Sequence, residues 1–366
     1  MAIFYEKSMP PWPYLCFFAE RLCFLSTGST FTVPGIWYKI GGMSRLIRAS
    51  LALLCICAVC GCGTGRRDGP GANPIVLGYS QLGDESTWRT QNSSSINNAA
   101  KKAGIKIMFD DAMQDPENQI KAIRSFIAYK VDVIAFSPLV ETGWDTVLGE
   151  AKAAGIPVII VDRMIDTADD SLYACALCSD FDLEGRRAGE FLLKKFRDIH
   201  RPITIVELGG TADSTPAIGR YQGFRDVISS NPKFRVIFSE DGDFMSSKGR
   251  EIMQKVLTLY KPKEIDVLYS HNDDMTFGAI EVMREAGIAP GKDIAIISVD
   301  ATQRIVNYLK EGTVNCVIEC NPNSGPQVMD IAKRIVAGEA VPKKIYIKET
   351  VFDEYSNFQA IADRGY

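Results

Sequence analysis

Residues 153–162 read AAGIPVIIVD, a segment in which a glycine ends a predicted helix and an apolar run then stops at an aspartate. The same arrangement occurs at residues 102–110, KAGIKIMFD, and at residues 285–300, EAGIAPGKDIAIISVD. Glycine adopts the left-handed conformation that commonly ends a helix, and a short apolar run bounded in this way is typical of a buried strand. The repeated junction therefore predicts helices that alternate with buried strands.

Apolar runs and amphipathic stretches alternate from residue 74 onward, which is typical of βαβ units and a parallel sheet. In the first half, strands are predicted at residues 75–80, 105–109, 133–136 and 158–161, and helices at 87–103, 118–129 and 146–154. In the second half, strands are predicted at residues 203–208, 235–239, 267–269 and 294–299. The sequence thus predicts an α/β fold with two doubly wound parallel-sheet lobes that face each other across a cleft.

Polar residues follow most of the predicted strands. They lie at residues 84–89, 137–138, 162–163, 209–211 with Arg220, 271–274 and 300, and later at Glu319 and Asn321. In open α/β sheets, ligands bind beyond the carboxyl ends of the strands. These side chains are therefore candidate ligand contacts.

The candidate contacts combine planar hydrogen-bonding groups with one indole, that of Trp88. Guanidinium and carboxylate groups match the hydroxyls of a sugar, which both donate and accept, and an indole can cover an apolar ring face. The candidate contacts include three positively charged and three negatively charged side chains. The positive ones are Arg89, Arg163 and Arg220, and the negative ones are Glu85, Asp162 and Asp300. This balance favours a neutral polar ligand over an anion.

Structural roles compete with the ligand-binding interpretation at several of these positions. An aspartate at a strand end is also typical of helix caps and turns, and we predict caps at Asp273 and Asp274. Trp88 could instead belong to the core. The sequence GGT at residues 209–211 lacks the spacing of a nucleotide-binding loop. His271 has no second histidine or paired cysteine at ligand spacing, so no metal site and no cofactor are predicted.

Catalytic signatures are missing from the sequence: it contains neither a Gly-x-Ser-x-Gly elbow nor an H-E-x-x-H motif. Opposed carboxylates could act on a glycoside. The neighbouring arginines are expected to keep those carboxylates ionised, which leaves no acid with a raised pKa. We therefore predict a protein that is not an enzyme, and an extracellular glycosidase stays as an alternative.

The N-terminal region has the pattern of an export signal. Residues 43–62 contain two arginines, an apolar run at residues 49–59 and the sequence Val59-Cys60-Gly61-Cys62. The run is shorter than the roughly 20 residues that span a bilayer. We predict a lipoprotein-type signal over 43–62 with lipidation at Cys62, simple cleavage nearby being the alternative. Residues 63–73 are then a glycine-rich tether, and residues 1–42 an untranslated or disordered preface.

The charge and the positions of the cysteines bear on the partners of the protein and on its disulfides. The 366 residues contain 41 Lys and Arg against 45 Asp and Glu, so no basic excess favours nucleic acid. Six of the ten cysteines lie at or before residue 62. The other four are Cys175, Cys178, Cys316 and Cys320. Burial as small apolar residues and a disulfide between the two segments both stay open for them.

Several motifs resemble, in order, the type I periplasmic sugar-binding proteins of ABC transporters. They are IVLGYSQ at residues 75–81, Asp162-Arg163, Arg220 before Gly223-Phe224, HNDD at 271–274 and SVD at 298–300. The segments GDESTWR at 83–89 and ENQIKAIRSF at 117–126 resemble the galactofuranose-binding branch of that family. The resemblance extends from about residue 74 to residue 366.

The resemblance implies a binding site and an architecture. The implied ligand-binding residues are Glu85, Ser86, Thr87, Trp88, Arg89, Asp162, Arg163, Arg220, Asn272, Asp300 and Glu319. Thr87 stands where this branch is expected to have glycine. Three crossovers near residues 180, 319 and 348 would join lobe 1, residues 74–179 plus 320–348, to lobe 2, residues 180–319 plus 349–366. Ligand binding would close the lobes about this hinge.

The implied function is capture of a neutral monosaccharide, preferably galactofuranose, and its delivery to an ABC-type permease. The protein is expected to be a monomer in the periplasm or cell envelope, anchored through Cys62, without a nucleic-acid partner. The alternative is a sugar sensor that presents its closed form to a membrane receptor kinase. A sugar-responsive transcription regulator would need a basic helix-turn-helix, whereas residues 1–73 carry the export pattern and the tether.

Overall fold

The computed structural model of the protein describes residues 74–366. The predicted preface at 1–42, signal at 43–62, lipidated Cys62 and tether at 63–73 lie outside the described residues. In the described part, no helix combines the length and the apolar character needed to cross a membrane.

Strands and helices alternate along this part of the chain, and β and α labels below follow chain order. The strands are β1 Val76–Gln81, β2 Lys106–Asp111, β3 Val133–Phe136, β4 Val158–Asp162, β5 Cys175–Cys178, β6 Ile203–Gly209, β7 Phe234–Asp241, β8 Val267–Ser270, β9 Ala295–Asp300, β10 Cys316–Glu319, β11 Lys344–Tyr346 and β12 Val351–Asp353. The α-helices are α1 Thr87–Ala103, α2 Pro116–Tyr129, α3 Asp145–Ala153, α4 Phe181–Lys195, α5 Thr215–Ile228, α6 Ser246–Leu259, α7 Asp273–Glu285, α8 Gln303–Glu311 and α9 Gly325–Val336.

Within residues 74–366, the strands form two six-stranded sheets. The first has the order β11-β5-β4-β3-β1-β2 and is parallel throughout. The second has the order β12-β10-β9-β8-β6-β7, with only β12 antiparallel to its neighbour. Buried apolar clusters cover both faces of each sheet, as expected for parallel strands flanked by helices. The predicted α/β fold with two parallel-sheet lobes is confirmed.

The repeated glycine junction forms as the sequence predicts. Gly104, Gly155 and Gly287 have φ angles of 69°, 73° and 71°, the left-handed region that ends a helix. At the far ends of β4 and β9, Asp162 and Asp300 also have positive φ, 66° and 121°. A non-glycine residue rarely adopts this backbone conformation, and such residues cluster at functional sites.

The chain passes between the two sheets three times. It leaves β5 of the first sheet for α4, leaves β10 of the second sheet for α9, and leaves β11 for β12. The predicted strands omitted β5, β10, β11 and β12. They are the strands that border the crossings.

The four cysteines of residues 74–366 are buried free thiols. Cys175 and Cys178 belong to the first sheet, whereas Cys316 belongs to the second and Cys320 follows it. Burial raises the pKa of the Cys178 thiol to about 12, and it raises the pKa values of Cys316 and Cys320 well above the ordinary value. Thiols held neutral in this way behave as small apolar groups.

Candidate ligand-binding cleft

A cavity lies between the carboxyl ends of the two sets of strands, with about 290 Å³ of space that protein atoms do not fill. Nine of the predicted site residues line it: Glu85, Ser86, Trp88, Arg89, Asp162, Arg163, Arg220, Asn272 and Asp300. They come from both lobes and from segments up to two hundred residues apart in sequence. Parallel strands bring them together because all their carboxyl ends meet at the same edge of a sheet.

Two arginines and two carboxylates form a buried network on the first lobe. Arg89 donates from Nε to Glu85 Oε1 at 3.1 Å and from Nη2 to Asp162 Oδ2 at 2.7 Å. Arg163 approaches Glu85 Oε1 at 3.5 Å and donates to the carbonyl oxygen of Leu139 at 3.1 Å. Glu85 lies two residues before α1, and the chain turn at the Ser86 cap brings its carboxylate to Arg89 in the first turn of the helix.

Burial and neighbouring charges shift the pKa values of Arg89 and Arg163 in opposite directions. Burial, followed by the charge of Arg89, lowers the pKa of Arg163 to about 10. Burial also tends to lower the pKa of Arg89, but the charges of Glu85 and Asp162 outweigh it and raise that pKa above the ordinary value. Both groups are cations at neutral pH, and Arg89 is the better neutralised of the two.

Three polar atoms of this network have no hydrogen-bond partner among residues 74–366. They are Glu85 Oε2, Arg89 Nη1 and Arg163 Nε, and all three are buried. A buried polar group without a partner costs about 1–3 kcal/mol. The residues that line the cavity thus leave one acceptor and two donors without a partner.

On the second lobe, Arg220 is held by a residue that the sequence analysis did not predict. Arg220 Nε donates to Glu184 Oε2 at 2.6 Å, and Nη1 donates to the carbonyl oxygen of His271 at 2.6 Å. Helices α4 and α5 pack closely enough that a Cβ atom added at Gly185 or Gly223 would overlap the backbone of the facing helix. Glycines four residues apart in each helix are the sequence signal of this packing.

The pKa of Asp300 contradicts the expectation that every carboxylate of the site stays ionised. Burial first, and then the charge of Asp273, raise the pKa of Asp300 well above its ordinary value, and Arg220 only partly offsets them. Arg220 already has Glu184 as its closest partner. A carboxyl group with a raised pKa is thus present in the cleft.

Asn272, rather than Asp273 or Asp274, caps the N-terminus of α7. Its side-chain oxygen accepts from the Met275 N–H at 3.0 Å, and its amide donates to the Phe244 carbonyl oxygen at 2.9 Å. Asp273 accepts from Ser298 Oγ and from the Thr302 N–H. The prediction of caps at both aspartates was wrong, because Asp273 finds its partners in β9 and the turn that follows it, and Asp274 accepts from Thr87 of α1.

Aromatic and apolar groups complete the cavity wall. Trp88 packs into the apolar cluster of the second sheet, and its Nε1 donates to the Cys320 carbonyl oxygen at 2.7 Å. Sequence reasoning missed Phe181, Pro216, Phe244 and Cys320, which also line the cavity. Phe244 lies three residues after β7 at a φ of 62°, and the sequence rule missed it because that rule selected only polar residues after strands.

Thr87 does not line the cavity but bridges its mouth. The Thr87 N–H donates to Asp274 Oδ2 at 2.9 Å, and its hydroxyl donates to Oδ1 at 3.0 Å. Thr87 begins α1 of the first lobe, and Asp274 lies in the first turn of α7 of the second. The described conformation is therefore one in which the cleft is closed.

Glu319 does not line the cavity either. Its carboxylate pairs with Arg364 and accepts from the Thr350 N–H at 3.0 Å. Arg364 belongs to the C-terminal segment, which lies beside the end of β10, and its guanidinium pairs with the Glu319 carboxylate. The implied ligand role of Glu319 is replaced by a structural role beside the hinge.

Glu184, Cys320 and Glu349 bring two carboxyl oxygens and a sulfur within 4.8 Å of one another. This spacing would suit a metal ion. However, the Arg220 guanidinium lies 2.6 Å from the Glu184 carboxylate and would repel a cation there. The cluster is better suited to holding a proton than to holding a metal.

Known proteins are similar to this chain in sequence and in structure. The sequence profile described as "Periplasmic binding protein domain" matches residues 77–340. The galactofuranose-binding protein YtfQ of Escherichia coli strain K12 is 40% identical over 283 residues, which cover 77% of this chain and 88% of that protein.

Two solved structures are also similar. A Mycobacterium smegmatis protein in complex with β-D-fucofuranose is 47% identical, with a TM-score of 0.74 over 76% of this chain and 91% of that chain. The binding protein component of the arabinose ABC transporter from Shewanella sp. ANA-3, bound to α- and β-L-arabinofuranose, is 42% identical, with a TM-score of 0.74 over 76% and 92%.

Proposed function

This chain belongs to the periplasmic binding protein family, whose members bind solutes and are not enzymes, and from that premise we propose that it captures a neutral monosaccharide for an ABC-type import permease. We propose further that the protein is exported and is anchored at the cell envelope through Cys62. Its first lobe would comprise residues 74–179 and 320–348, and its second lobe residues 180–319 and 349–366.

The unpartnered atoms of Glu85, Arg89 and Arg163 are the observation that carries this proposal. A sugar hydroxyl can donate to a carboxylate oxygen and accept from a guanidinium N–H at the same time. One vicinal pair of hydroxyls could therefore satisfy all three atoms. Trp88 beside them offers an apolar face for the sugar ring.

A furanose with the ring configuration of galactose is the preferred ligand. The relatives described above bind galactofuranose, β-D-fucofuranose and L-arabinofuranose. Fucofuranose is galactofuranose without its terminal hydroxyl, and L-arabinofuranose has the same ring configuration with a shorter side chain. The shared part is the five-membered ring, and we infer that the cavity of this chain recognises that ring.

Calorimetry on refolded, ligand-free protein tests the proposal. The panel is D-galactose, D-fucose, L-arabinose and the methyl furanosides and pyranosides of galactose. We expect one site per chain, and the ¹³C shift of the anomeric carbon of bound labelled galactose should be that of a furanose. Silence toward the whole panel would contradict sugar capture, and a pyranose signal would contradict the preference for the five-membered ring.

Removing the Thr87 hydroxyl should speed release of the sugar. Thr87→Val keeps the size of the side chain but loses one of the two hydrogen bonds to Asp274, which hold the cleft closed. A partly exposed bond to a carboxylate contributes about 1 kcal/mol, so the dissociation rate should rise about fivefold. Stopped-flow fluorescence measures this rate and should show an unchanged association rate.

The matched control is Thr90→Val. Thr90 lies one turn further along α1, and its hydroxyl pairs with Asp84 of the same lobe. This control should release sugar at the wild-type rate. Equal rates for the two variants would show that the Thr87 bond does not hold the cleft closed.

A further inference from the structure

Glu349 joins all three crossings between the lobes. Its Oε1 accepts from the Ser179 hydroxyl at 2.6 Å and from the Asn321 N–H at 2.9 Å. Ser179 lies in the first crossing, Asn321 in the second and Glu349 in the third. A single carboxyl group therefore contacts every segment of the hinge.

The second carboxyl group of the hinge belongs to Glu184 on α4. Glu184 is fully buried, and its Oε2 accepts from Arg220, which lines the cavity. Its Oε1 has no hydrogen-bond partner among residues 74–366. An oxygen of Glu349 lies within 4.8 Å of an oxygen of Glu184. Because Glu349 Oε1 already accepts two bonds, its other oxygen is the atom that can carry a proton toward Glu184.

We propose that Glu349 is a positioning residue that shares one proton with Glu184 when the cleft is closed, and that this proton holds Glu184, and through it Arg220, in place for the ligand. The proposal rests on the proposed function, since Arg220 acts on the sugar. Two carboxylates this close in a buried hinge would repel each other if both were ionised. A shared proton removes the repulsion and gives Glu184 Oε1 a donor.

The surroundings of Glu349 favour its neutral form. Burial, and after it the charge of Glu184, raise the pKa of Glu349 to about 9. Burial also raises the pKa of Glu184, although Arg220 opposes this change. The charged or titratable groups that face the pair from the packed elements are Arg220 of α5, Asp300 of β9, Cys320 of the second crossing, and Glu319 with Arg364 beside Thr350.

Closure should therefore be linked to proton uptake. Opening moves Ser179 and Asn321 of lobe 1 away from Glu349 and lets water reach this carboxyl group, so the burial that raises its pKa is relieved and the pKa falls toward its ordinary value. Between that value and about pH 9, the closed form binds more protons than the open form. A sugar that selects the closed form should then bind more weakly as the pH rises through this window.

Calorimetry of sugar binding at pH 7 and pH 9, in buffers with different ionisation enthalpies, tests this linkage in the full chain. The wild-type protein should take up close to one proton per sugar at pH 7 and about half a proton at pH 9, and its affinity should be at least tenfold lower at pH 9. Glu349→Gln carries a permanent donor, so it should take up almost no proton on binding and its affinity should be nearly equal at the two pH values. Glu349→Ala should bind more weakly than Glu349→Gln at both pH values.

Glu339→Gln is the control for loss of a carboxylate, because Glu339 is exposed on the surface and pairs only with Arg334. It should keep the wild-type pH profile. Wild-type protein that binds sugar with no pH dependence or proton uptake would overturn the shared proton and leave sugar capture intact. A profile unchanged in Glu349→Gln would assign the proton to another group, such as Asp300, and would also overturn it. Failure to bind sugar at pH 7 would instead contradict the proposed function.

Discussion

Replacing Arg163 with methionine is expected to abolish measurable sugar binding while the protein stays folded. Arg163 is fully buried and supplies one of the three unpartnered atoms of the cavity. Its removal would delete the charge-assisted bonds that we propose it makes to the sugar, and it leaves Glu85 with one cation fewer. Losing a buried charged partner costs about 3–5 kcal/mol, which corresponds to a loss of affinity of about 150- to 5,000-fold.

Titration calorimetry with the preferred furanose measures this loss, and circular dichroism confirms the fold. The matched control is Arg197→Met, because the Arg197 side chain is 75% exposed and pairs with its neighbour Asp198 on the surface. The control should bind with wild-type affinity. Wild-type affinity in Arg163→Met would show that the sugar does not use this guanidinium, and the assignment of the cavity would then be wrong.

Replacing Arg89 with methionine should lower the free energy of unfolding by about 3–5 kcal/mol in the absence of sugar. Arg89 is the common partner of Glu85 and Asp162, and all three side chains are almost fully buried. Without the guanidinium, Asp162 loses its ion-pair partner and Glu85 keeps only the longer contact with Arg163 among the ion pairs of residues 74–366, in a site that little water reaches. Most of the cost arises from these poorly neutralised charges, since a methionine of similar length still fills the space.

Urea unfolding followed by tryptophan fluorescence measures the change. Arg124→Met is the matched control, because Arg124 also makes two hydrogen bonds to carboxylate oxygens, both of them in Glu150, but on the surface. Solvent screens an exposed pair, so its loss should change the stability little. If both variants lost the same small amount, the network around Arg89 would not be the buried ion-pair centre that the structure shows.

The fold followed from the sequence because its determinants are local. A glycine that ends a helix with positive φ and an apolar run that stops at an aspartate are properties of neighbouring residues. The position of the cavity followed from one further rule, that the carboxyl ends of parallel strands meet at one edge. Nine of the eleven predicted ligand contacts line the cavity for this reason.

Some residues were wrongly predicted to contact the ligand, and others were not predicted at all. Their roles are set by contacts with residues that are distant in the sequence. Thr87 finds Asp274 at a separation of 187 residues, and Glu319 is occupied by Arg364 of the C-terminal segment. Glu184 sits in an ordinary amphipathic helix, and only the glycine-mediated packing of α4 on α5 turns it toward Arg220. The spacing of the glycines indicates that the two helices pack closely, but it does not say which side chains meet.

The sequence by itself determined the two parallel sheets, the edge at which the ligand contacts gather and their balance of charge, because backbone geometry and burial periodicity are set by adjacent residues. Only the tertiary structure decided which charges neutralise each other, which carboxyl groups are held close to a neutral form and which contacts hold the cleft closed. The physical reason is that the strength of an electrostatic contact depends on distance and burial, and both are fixed only when distant segments pack together.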